Sequence, residues 1–413
     1  MKTASILLLT PQLPYPPHQG TSLRNWHILR GLALSHPVSL LSFVEPNQVT
    51  DAAAIQPLLA VCPSVRTVPV PQRSLALRLR QLLTTGLPDM AHRLDAPAFT
   101  LALRQWLTET HFDIVQVEGI ELARYIGIIR AVSPSSRILF DNHNAEAELQ
   151  RRNFLTDVRR PGRWPAAAYS FVQTHRLRRF ESWAMRQADW VVAVSDEDAR
   201  QLRPLAREKQ VTVIPNSIDT EAYSLPTNPQ QVPANQSFDL VFTGKMDYRP
   251  NVDAVLWFVE AIWPQIRAAR PQTTLAIVGQ KPHERLQSLN QQPGITLTGW
   301  VDTVQPYLAG AGLCLMPFRV GSGTRLKLIE AMAAGKAIVS TTVGAEGFPV
   351  QSGREAVLAD SPGEFAQAVL ALLSNEGERE RLGAAACQFA RQYDWRVVVP
   401  LFSQVYESEV SGR

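Results

Sequence analysis

Lys327 and Glu330 are a pair of residues whose types and spacing could do chemistry. They lie three positions apart in a segment that predicts a helix from about Arg325 to Ala334, so they share one helix face. A lysine placed there can contact a phosphate, and a carboxylate can accept hydrogen bonds from a pair of sugar hydroxyls. The alternative interpretation is an ordinary surface ion pair, which contributes little to stability.

A glycine-containing turn precedes this helix. Gly321-Ser322-Gly323-Thr324 follows the apolar run Leu313–Phe318, and Ala337–Thr341 resembles a further short strand after Gly335. Glycine allows close approach of backbone to a ligand, and free amide groups at a helix start favour an anion. The order strand, turn, helix, strand is typical of a parallel sheet. The segment therefore predicts an anion-binding turn at the end of a buried strand.

Similar units recur along the chain and predict an α/β protein of two doubly wound, Rossmann-like domains. A polar, proline-rich stretch separates two series of strand-like runs and reads as a linker. We expect an N-terminal domain at 1–220, a linker at 221–237 and a C-terminal domain at 238–394, with an amphipathic helix in 395–413 packing back on the first domain. The predicted strands are Ser5–Thr10, Val38–Val44, Asp113–Val117, Arg137–Phe140, Asp189–Ser195, Val211–Ile214, Asp239–Thr243, Thr273–Val278, Ile295–Thr298, Leu313–Pro317 and Ala337–Thr341.

Composition is that of a globular protein in a reducing compartment. The chain has 413 residues and a net charge of +4. Lys and Arg outnumber Asp and Glu by 25 to 19 up to residue 220, whereas the remainder has 16 against 18. Three widely spaced cysteines fit neither a disulfide framework nor a metal motif. The first apolar run is too short for a signal peptide, and no run approaches a membrane span. We expect a cytoplasmic protein.

The run K-L-I-E-A-M-A-A-G-K-A-I-V-S-T, residues 327–341, resembles the donor-site signature of retaining glycosyltransferases of family 4 (group 1). The resemblance implies the GT-B fold, with two Rossmann-like domains facing a central cleft. It also implies transfer of a sugar, with retention, from a nucleoside-diphosphate sugar to a carbohydrate or lipid-linked acceptor, in exopolysaccharide or cell-envelope glycan synthesis. No cofactor and no metal is expected.

The resemblance assigns donor-side roles to particular residues. It places Glu330 on the nucleotide ribose and puts Ser322 where family members often have a second glutamate. Lys245 fits the first of two basic positions for the diphosphate, while the second falls at Pro250 or Asn251, so Arg249 or Lys327 would supply that charge. The other donor-side candidates are Gly20, Gly244, Gly321, Gly323, Thr324 and Arg325.

Two further loops are candidates for the acceptor side. Gly20 and Arg24 lie where the family has a glycine-containing loop that faces both the donor diphosphate and the acceptor. His143, Asn144 and Glu146 follow a predicted strand, where a histidine is placed to meet a ligand. A turn stabilised by its own side-chain hydrogen bonds is the alternative.

Other patterns have competing interpretations. Asp196-Glu197-Asp198 is formally a metal-binding D-x-D, but acidic residues also suit the first turn of a helix capped by Ser195 or Asp196. Arg151–Arg186 carries nine arginines among aromatic residues and predicts either contact with an anionic membrane surface or a solvated helix face. No nucleic-acid module accompanies it.

Two other functions are alternatives to a glycosyltransferase. A GT-B relative without catalytic activity could act as a scaffold in glycan assembly. A nicotinamide-dependent oxidoreductase is disfavoured because the G-x-G-x-x-G pattern is missing after the first strand.

Overall fold

We analysed a computed structural model, which describes residues 3–17, 20–45, 55–159, 161–223, 237–320 and 323–408. The chain divides into two compact units. The first comprises Met1–Ser217 and Val398–Arg413, and the second is Ile218–Val397. The first domain was expected to end at 220 and the return to begin at 395, each within three residues of the observed limits, whereas the second unit begins at Ile218 and includes the linker expected at 221–237. Ile218 is held by the second unit because it forms a β-bridge with Asp394.

The first unit contains a seven-stranded sheet in the order β3-β2-β1-β4-β5-β6-β7, and every strand pair is parallel. Its central strands are apolar and buried on both faces, as sheets covered by helices require. The strands are β1 (Ile6–Thr10), β2 (Val38–Val44), β3 (Ser64–Pro69), β4 (Ile114–Glu118), β5 (Arg137–Asn142), β6 (Trp190–Ala193) and β7 (Val211–Val213).

Helices connect these strands and cover the sheet. They are α1 (Gly20–Leu32), α2 (Gln56–Val61), α3 (Leu75–Thr84), α4 (Asp89–Arg93), α5 (Pro97–Glu109), α6 (Ile126–Val132), α7 (Glu146–Asp157), α8 (Trp164–Gln187) and α9 (Asp196–Ala206). Short 3-10 helices span Ile120–Tyr125 and Pro161–Arg163. Ser195 caps α9, because its hydroxyl accepts a hydrogen bond from the Asp198 amide at 3.1 Å. This confirms the capping interpretation of the D-x-D sequence.

The second unit contains a six-stranded parallel sheet in the order β10-β9-β8-β11-β12-β13. Its strands are β8 (Phe238–Thr243), β9 (Leu275–Val278), β10 (Ile295–Gly299), β11 (Ala311–Met316), β12 (Ile338–Ser340) and β13 (Val357–Leu358). In both sheets the chain order reverses beside the first strand, between β1 and β4 and between β8 and β11. Ligands of such sheets bind outside the carboxyl ends of the strands at this point.

The helices of the second unit are α10 (Arg249–Trp257), α11 (Trp263–Ala269), α12 (Glu284–Gln287), α13 (Gln305–Gly310), α14 (Leu326–Ala333), α15 (Pro362–Leu373), α16 (Glu376–Ala390) and α17 (Trp395–Val398). A π-helical turn, Phe258–Ile262, joins α10 to α11. Short 3-10 helices lie at Thr220–Tyr223, Ser288–Gln291, Val343–Ala345 and Arg391–Tyr393.

The α/β class with two doubly wound parallel sheets is confirmed. The C-terminal segment forms two short helices, α17 and then α18 (Pro400–Glu407), instead of one. Pro400 separates them, as expected where a residue lacks the amide proton of the helical ladder. Most of the predicted linker, residues 224–236, lies outside the described part. Among the described residues, no helix combines the length and apolar character that a membrane crossing needs.

Candidate functional site

Lys327 lies at the carboxyl edge of the second sheet, beside the reversal between β8 and β11. Its ammonium donates to the Thr243 carbonyl at 2.7 Å and to Asn251 Oδ1 at 2.9 Å. It also lies over the rings of Phe242 and Phe318, 4.9 and 5.1 Å from their centroids. Burial among these groups lowers the pKa of Lys327 to about 7, although the neighbouring Glu330 acts in the opposite direction. The ammonium is therefore positioned by fixed partners.

Glu330 lies one turn further along α14. Its Oε1 accepts a hydrogen bond from the Tyr223 hydroxyl at 2.9 Å. Burial raises the pKa of Glu330, while the Tyr223 hydrogen bond and the Lys327 charge oppose that rise. One carboxylate offers about four lone-pair positions. The carboxylate thus has acceptor capacity beyond the single bond to Tyr223.

Gly244 permits the close approach of backbone and Lys327. Its φ is 156°, and a β-carbon at this position would lie 2.4 Å from Lys327 Nζ and 2.8 Å from Asn251 Nδ2. Gly323, in the turn before α14, has a φ of 73°, in the left-handed region that favours glycine. At Gly244 and Gly323 the backbone geometry therefore favours glycine over a residue with a side chain.

The other donor-side candidates have local contacts of their own. Lys245 is exposed and lies 3.7 Å from Asp247, and Arg249 is exposed at the start of α10. Arg325 is buried, donates to the Gly323 carbonyl at 3.1 Å and lies 4.8 Å from the Phe318 ring. Thr324 is partly buried against Gly347. Gly321 and Ser322 lie outside the described residues.

A second group of charges lies at the carboxyl edge of the first sheet. The Arg24 guanidinium donates to Asp141 Oδ2 from Nε at 3.0 Å and from Nη2 at 2.7 Å, and both side chains are buried. Arg24 also donates to the carbonyls of Ile214 and Pro215. Burial outweighs the guanidinium charge and raises the pKa of Asp141 to about 7. Arg24, expected on the acceptor side, here ties α1 to β5 and to the segment after β7.

His143 belongs to the same group. Its Nε2 lies 2.8 Å from Glu118 Oε2, and Glu118 Oε1 accepts from Gln116 Nε2 at 2.5 Å. Gln116 Oε1 in turn accepts from the Tyr406 hydroxyl of α18. Burial alone would lower the pKa of His143, but its hydrogen bond to Glu118 and the nearby carboxylates raise it. The histidine is partly exposed, whereas Glu118 is fully buried.

Asn144 and Glu146 complete the predicted loop. Asn144 Nδ2 donates to Glu146 Oε1 at 3.1 Å. Glu146 is largely buried, and this burial raises its pKa to about 7. Its backbone amide donates to Glu181 Oε1 at 2.8 Å, and burial raises the pKa of Glu181 to about 8. Gly20 begins α1.

Glu118, Asp141 and His143 are of the types that bind a divalent cation. Their ligand atoms lie within 4.8 Å of one another. The donor set does not require an ion, because the Arg24 guanidinium contacts Asp141 and the His143 ring contacts Glu118. Each of the two carboxylates thus already has a partner within this chain.

Four contributors were absent from the sequence-based assignment: Glu118, Asp141, Tyr223 and Asn251. Glu118 and Asp141 lie at or near strand ends, which is a usable signal. Asn251 occupies one of the two positions at which a second basic residue was sought, and its amide oxygen accepts a hydrogen bond from the Lys327 ammonium. Tyr223 is 107 residues from Glu330, and no local pattern indicated their contact.

Known protein families match both halves of this chain. Residues 27–222 match the model for glycosyltransferase family 4, and residues 237–375 match the model for glycosyl transferases group 1. A phosphatidyl-myo-inositol mannosyltransferase of Mycobacterium tuberculosis is 30% identical over 230 residues, which is 52% of this chain and 59% of that protein. A glycogen synthase of the same organism is 27% identical over 62% of each chain. The chain therefore spans about three fifths of the length of these curated relatives.

Solved structures resemble the chain over nearly its whole length. Sucrose-phosphate synthase from Thermosynechococcus elongatus has a TM-score of 0.72 at 17% identity, with 98% of both chains covered. HepE of Anabaena, solved with UDP-glucose, has a TM-score of 0.64 at 14% identity, with 98% and 100% covered. At these identities the likeness concerns the fold, which is the GT-B fold. Each half of the chain therefore matches a glycosyltransferase model.

Proposed function

We propose that the protein transfers a sugar from a nucleoside-diphosphate sugar to a carbohydrate or lipid-linked acceptor, with retention of configuration at the anomeric carbon. The observation that carries the proposal is the pairing of Lys327 with Glu330 at the strand edge where a doubly wound sheet binds its ligand. The ammonium suits a diphosphate and the carboxylate suits a ribose diol. Polysaccharide or cell-envelope glycan synthesis is the proposed setting.

Lys327 would stabilise the leaving diphosphate. Negative charge develops on the diphosphate as the glycosidic bond breaks, and a positioned cation lowers the energy of that state. Lys327 meets this requirement because Thr243 and Asn251 fix its ammonium before any ligand arrives. Lys245 and Arg249, both exposed, would add charge when the ligand binds. His143 and Asn144 would contact the sugar or the acceptor.

Thermal stability in the presence of nucleotides tests the donor site. ADP, GDP, UDP and their sugars are titrated against the wild type, the Glu330→Ala variant and a Glu380→Ala control whose altered residue is exposed on α16. A ligand at 100 times its dissociation constant adds about 2.7 kcal/mol, which raises the melting temperature by several degrees.

We expect one nucleotide family to stabilise the wild type and the control but not Glu330→Ala. Stabilisation by none of them would contradict the donor site. Nucleotide binding without release of nucleoside diphosphate, in the presence of cell-envelope acceptor extracts, would favour a non-catalytic scaffold. Proton NMR of the newly formed anomeric linkage measures retention, and an inverted product would overturn that part of the proposal.

We also propose that turnover needs no metal ion. Within the group of Glu118, Asp141 and His143, the Arg24 guanidinium contacts Asp141 and the His143 ring contacts Glu118. Turnover in EDTA should equal turnover in added Mg²⁺ or Mn²⁺. A loss of activity in EDTA that Mg²⁺ restores would contradict this proposal.

An anionic membrane surface is the proposed site of encounter with a lipid-linked acceptor. On α3, Leu75, Leu79 and Leu83 are 75%, 60% and 82% exposed, and no described side chain of this helix is buried. On the adjacent α8, Trp164 and Phe171 are about equally exposed, at 60% and 62%. Arg176 of α8 donates to the Leu82 carbonyl at 2.9 Å, which places an arginine beside the exposed leucines of α3, whereas the Phe171 ring lies 5.5 Å from that of Phe154 on α7.

Vesicle sedimentation tests this surface with two matched substitutions. Leu79→Glu alters the α3 surface, and Leu101→Glu places the same charge on α5 at a leucine that is 66% exposed. We expect Leu79→Glu alone to reduce binding to phosphatidylglycerol vesicles, and high salt to weaken binding of the wild type. Equal binding by both variants, or equal binding to neutral phosphatidylcholine vesicles, would contradict the proposal.

A further inference from the structure

Tyr223 is held in place independently of Glu330. It ends the 3-10 helix Thr220–Tyr223, whose first residue donates to Asp394 Oδ2 from its amide at 3.0 Å and from its hydroxyl at 2.6 Å. Arg396 adds ion pairs to Asp219 at 3.3 Å and Glu221 at 2.6 Å. The segment that carries Tyr223 therefore contacts Asp394 and Arg396, at the start of α17, at several points.

The Tyr223 hydroxyl donates to one oxygen of the Glu330 carboxylate. The bond joins Tyr223 Oη to Glu330 Oε1 at 2.9 Å. A hydrogen bond to a charged acceptor is stronger than a neutral one and fixes the plane of the carboxylate. The bond uses one of about four lone-pair positions, so two ribose hydroxyls can still donate to the same group.

We propose that Tyr223 is a positioning residue, whose hydroxyl orients the Glu330 carboxylate for recognition of the ribose diol of a nucleoside diphosphate. This inference rests on the donor site of the proposed function. The phenol ring alone would supply the packing, and a phenylalanine would supply it equally well. The hydroxyl is therefore the group to which the specific role belongs. It acts through Glu330 and need not touch the nucleotide.

The Tyr223→Phe variant tests this role, because it removes the hydroxyl and keeps the ring. Tyr307→Phe, on α13 of the same unit, is the matched control. Calorimetric titration measures the affinity of each protein for the nucleotide among ADP, GDP and UDP that binds the wild type, and for the 2′-deoxy form of that nucleotide. Melting temperatures without ligand report the effect on folding alone.

We expect Tyr223→Phe to weaken binding of the ribonucleotide by about tenfold, as loss of a hydrogen bond to a charged group predicts. The preference for ribonucleotide over 2′-deoxynucleotide should also shrink, whereas Tyr307→Phe should retain both properties. A lower melting temperature with an unchanged ribose preference would show a structural role only and overturn the inference. If no nucleotide binds the wild type, the donor site itself is refuted, and this inference with it.

The pH dependence of nucleotide binding gives a second test of the role of Tyr223. The described ionisable groups that act on Glu330 are Lys327 and Tyr223, and the Tyr223 hydrogen bond lowers the pKa of the carboxyl. Ribose recognition needs the ionised carboxylate, so binding weakens as the pH falls through this pKa. Without the hydroxyl the pKa rises, and the acid limb of binding should move to higher pH. An unmoved acid limb in Tyr223→Phe would contradict the inference.

Discussion

The two strand edges carry charged groups that are built differently. At the second sheet, Lys327 and Glu330 come from one helical turn, and each keeps part of its surface accessible. At the first sheet, Arg24, Asp141 and Glu118 come from three distant segments and are buried. The first group therefore ties distant segments of its unit together around His143, whereas Lys327 and Glu330 keep the accessible surface that the proposed donor site requires.

The largest expected effect concerns the buried pair of the first unit. Asp141→Ala leaves the Arg24 guanidinium buried without its carboxylate, and removal of one partner of a buried pair costs about 3–5 kcal/mol. The control is Glu109→Ala, which removes an exposed partner of Arg66 at 2.8 Å and should cost about 1 kcal/mol or less. Urea unfolding measures both changes. Equal losses would show that the pair is not structural.

The pH dependence of stability should follow the buried carboxyls of the first unit. Burial raises the pKa of Glu146 to about 7 and that of Glu181 to about 8. The folded state therefore binds protons that the unfolded state has released, so stability falls as the pH rises between the unfolded and the folded pKa values. We expect a loss of about 2 kcal/mol or more from pH 5 to pH 8.

Urea unfolding at a series of pH values measures this slope. Glu181→Gln should flatten it, because the glutamine carries no titratable proton. Stability that rises from pH 5 to pH 8 would be inconsistent with carboxyls whose pKa values are raised in the folded state.

The smallest effect on folding is expected for a substitution of Lys327, which should alter nucleotide binding only. Lys327→Met should weaken binding of a nucleoside diphosphate by about 10- to 100-fold, because the cation is lost while the apolar stem remains. Lys336→Met is the control, since Lys336 donates to the carbonyls of Ala309 and Ala311 in the same unit. Calorimetric titration should show normal affinity in the control.

The pKa of Lys327 near 7 adds a dependence on pH. In the wild type, binding of the diphosphate should weaken as the pH rises from 6.5 to 8.5, because the free protein loses the ammonium charge. The Lys327→Met variant should lack this limb. If binding to the variant still weakened as the pH rises, the pH dependence would belong to another ionisable group.

Features that depend on neighbouring residues could be predicted from the sequence. The strands of the sheet interiors are continuous apolar runs and were identified, whereas β3 and β13 were missed. Both are edge strands, and β3 has one buried residue among six while β13 has only two residues, so neither produces such a run. Lys327 and Glu330 could be paired because helical spacing is a local property.

Contacts between distant segments could not be predicted in this way. Arg24 and Asp141 are 117 residues apart, and Tyr223 and Glu330 are 107 apart. Their pairing depends on the sheet order and on the return of the chain, which local periodicity does not specify. The capping role of Ser195 could be predicted, since a cap and its helix are adjacent.

The return of the chain to the first unit at Val398 has a consequence for biosynthesis. His36 contacts Ser403, 367 residues away, and the Tyr406 hydroxyl reaches Gln116 across 290 residues. A ribosome makes Ser403 and Tyr406 after the whole second unit, so the second unit can fold on the emerging chain while the first still lacks α18. Contacts of such high order slow folding. A nascent chain arrested before Val398 should therefore present an incomplete first unit to chaperones.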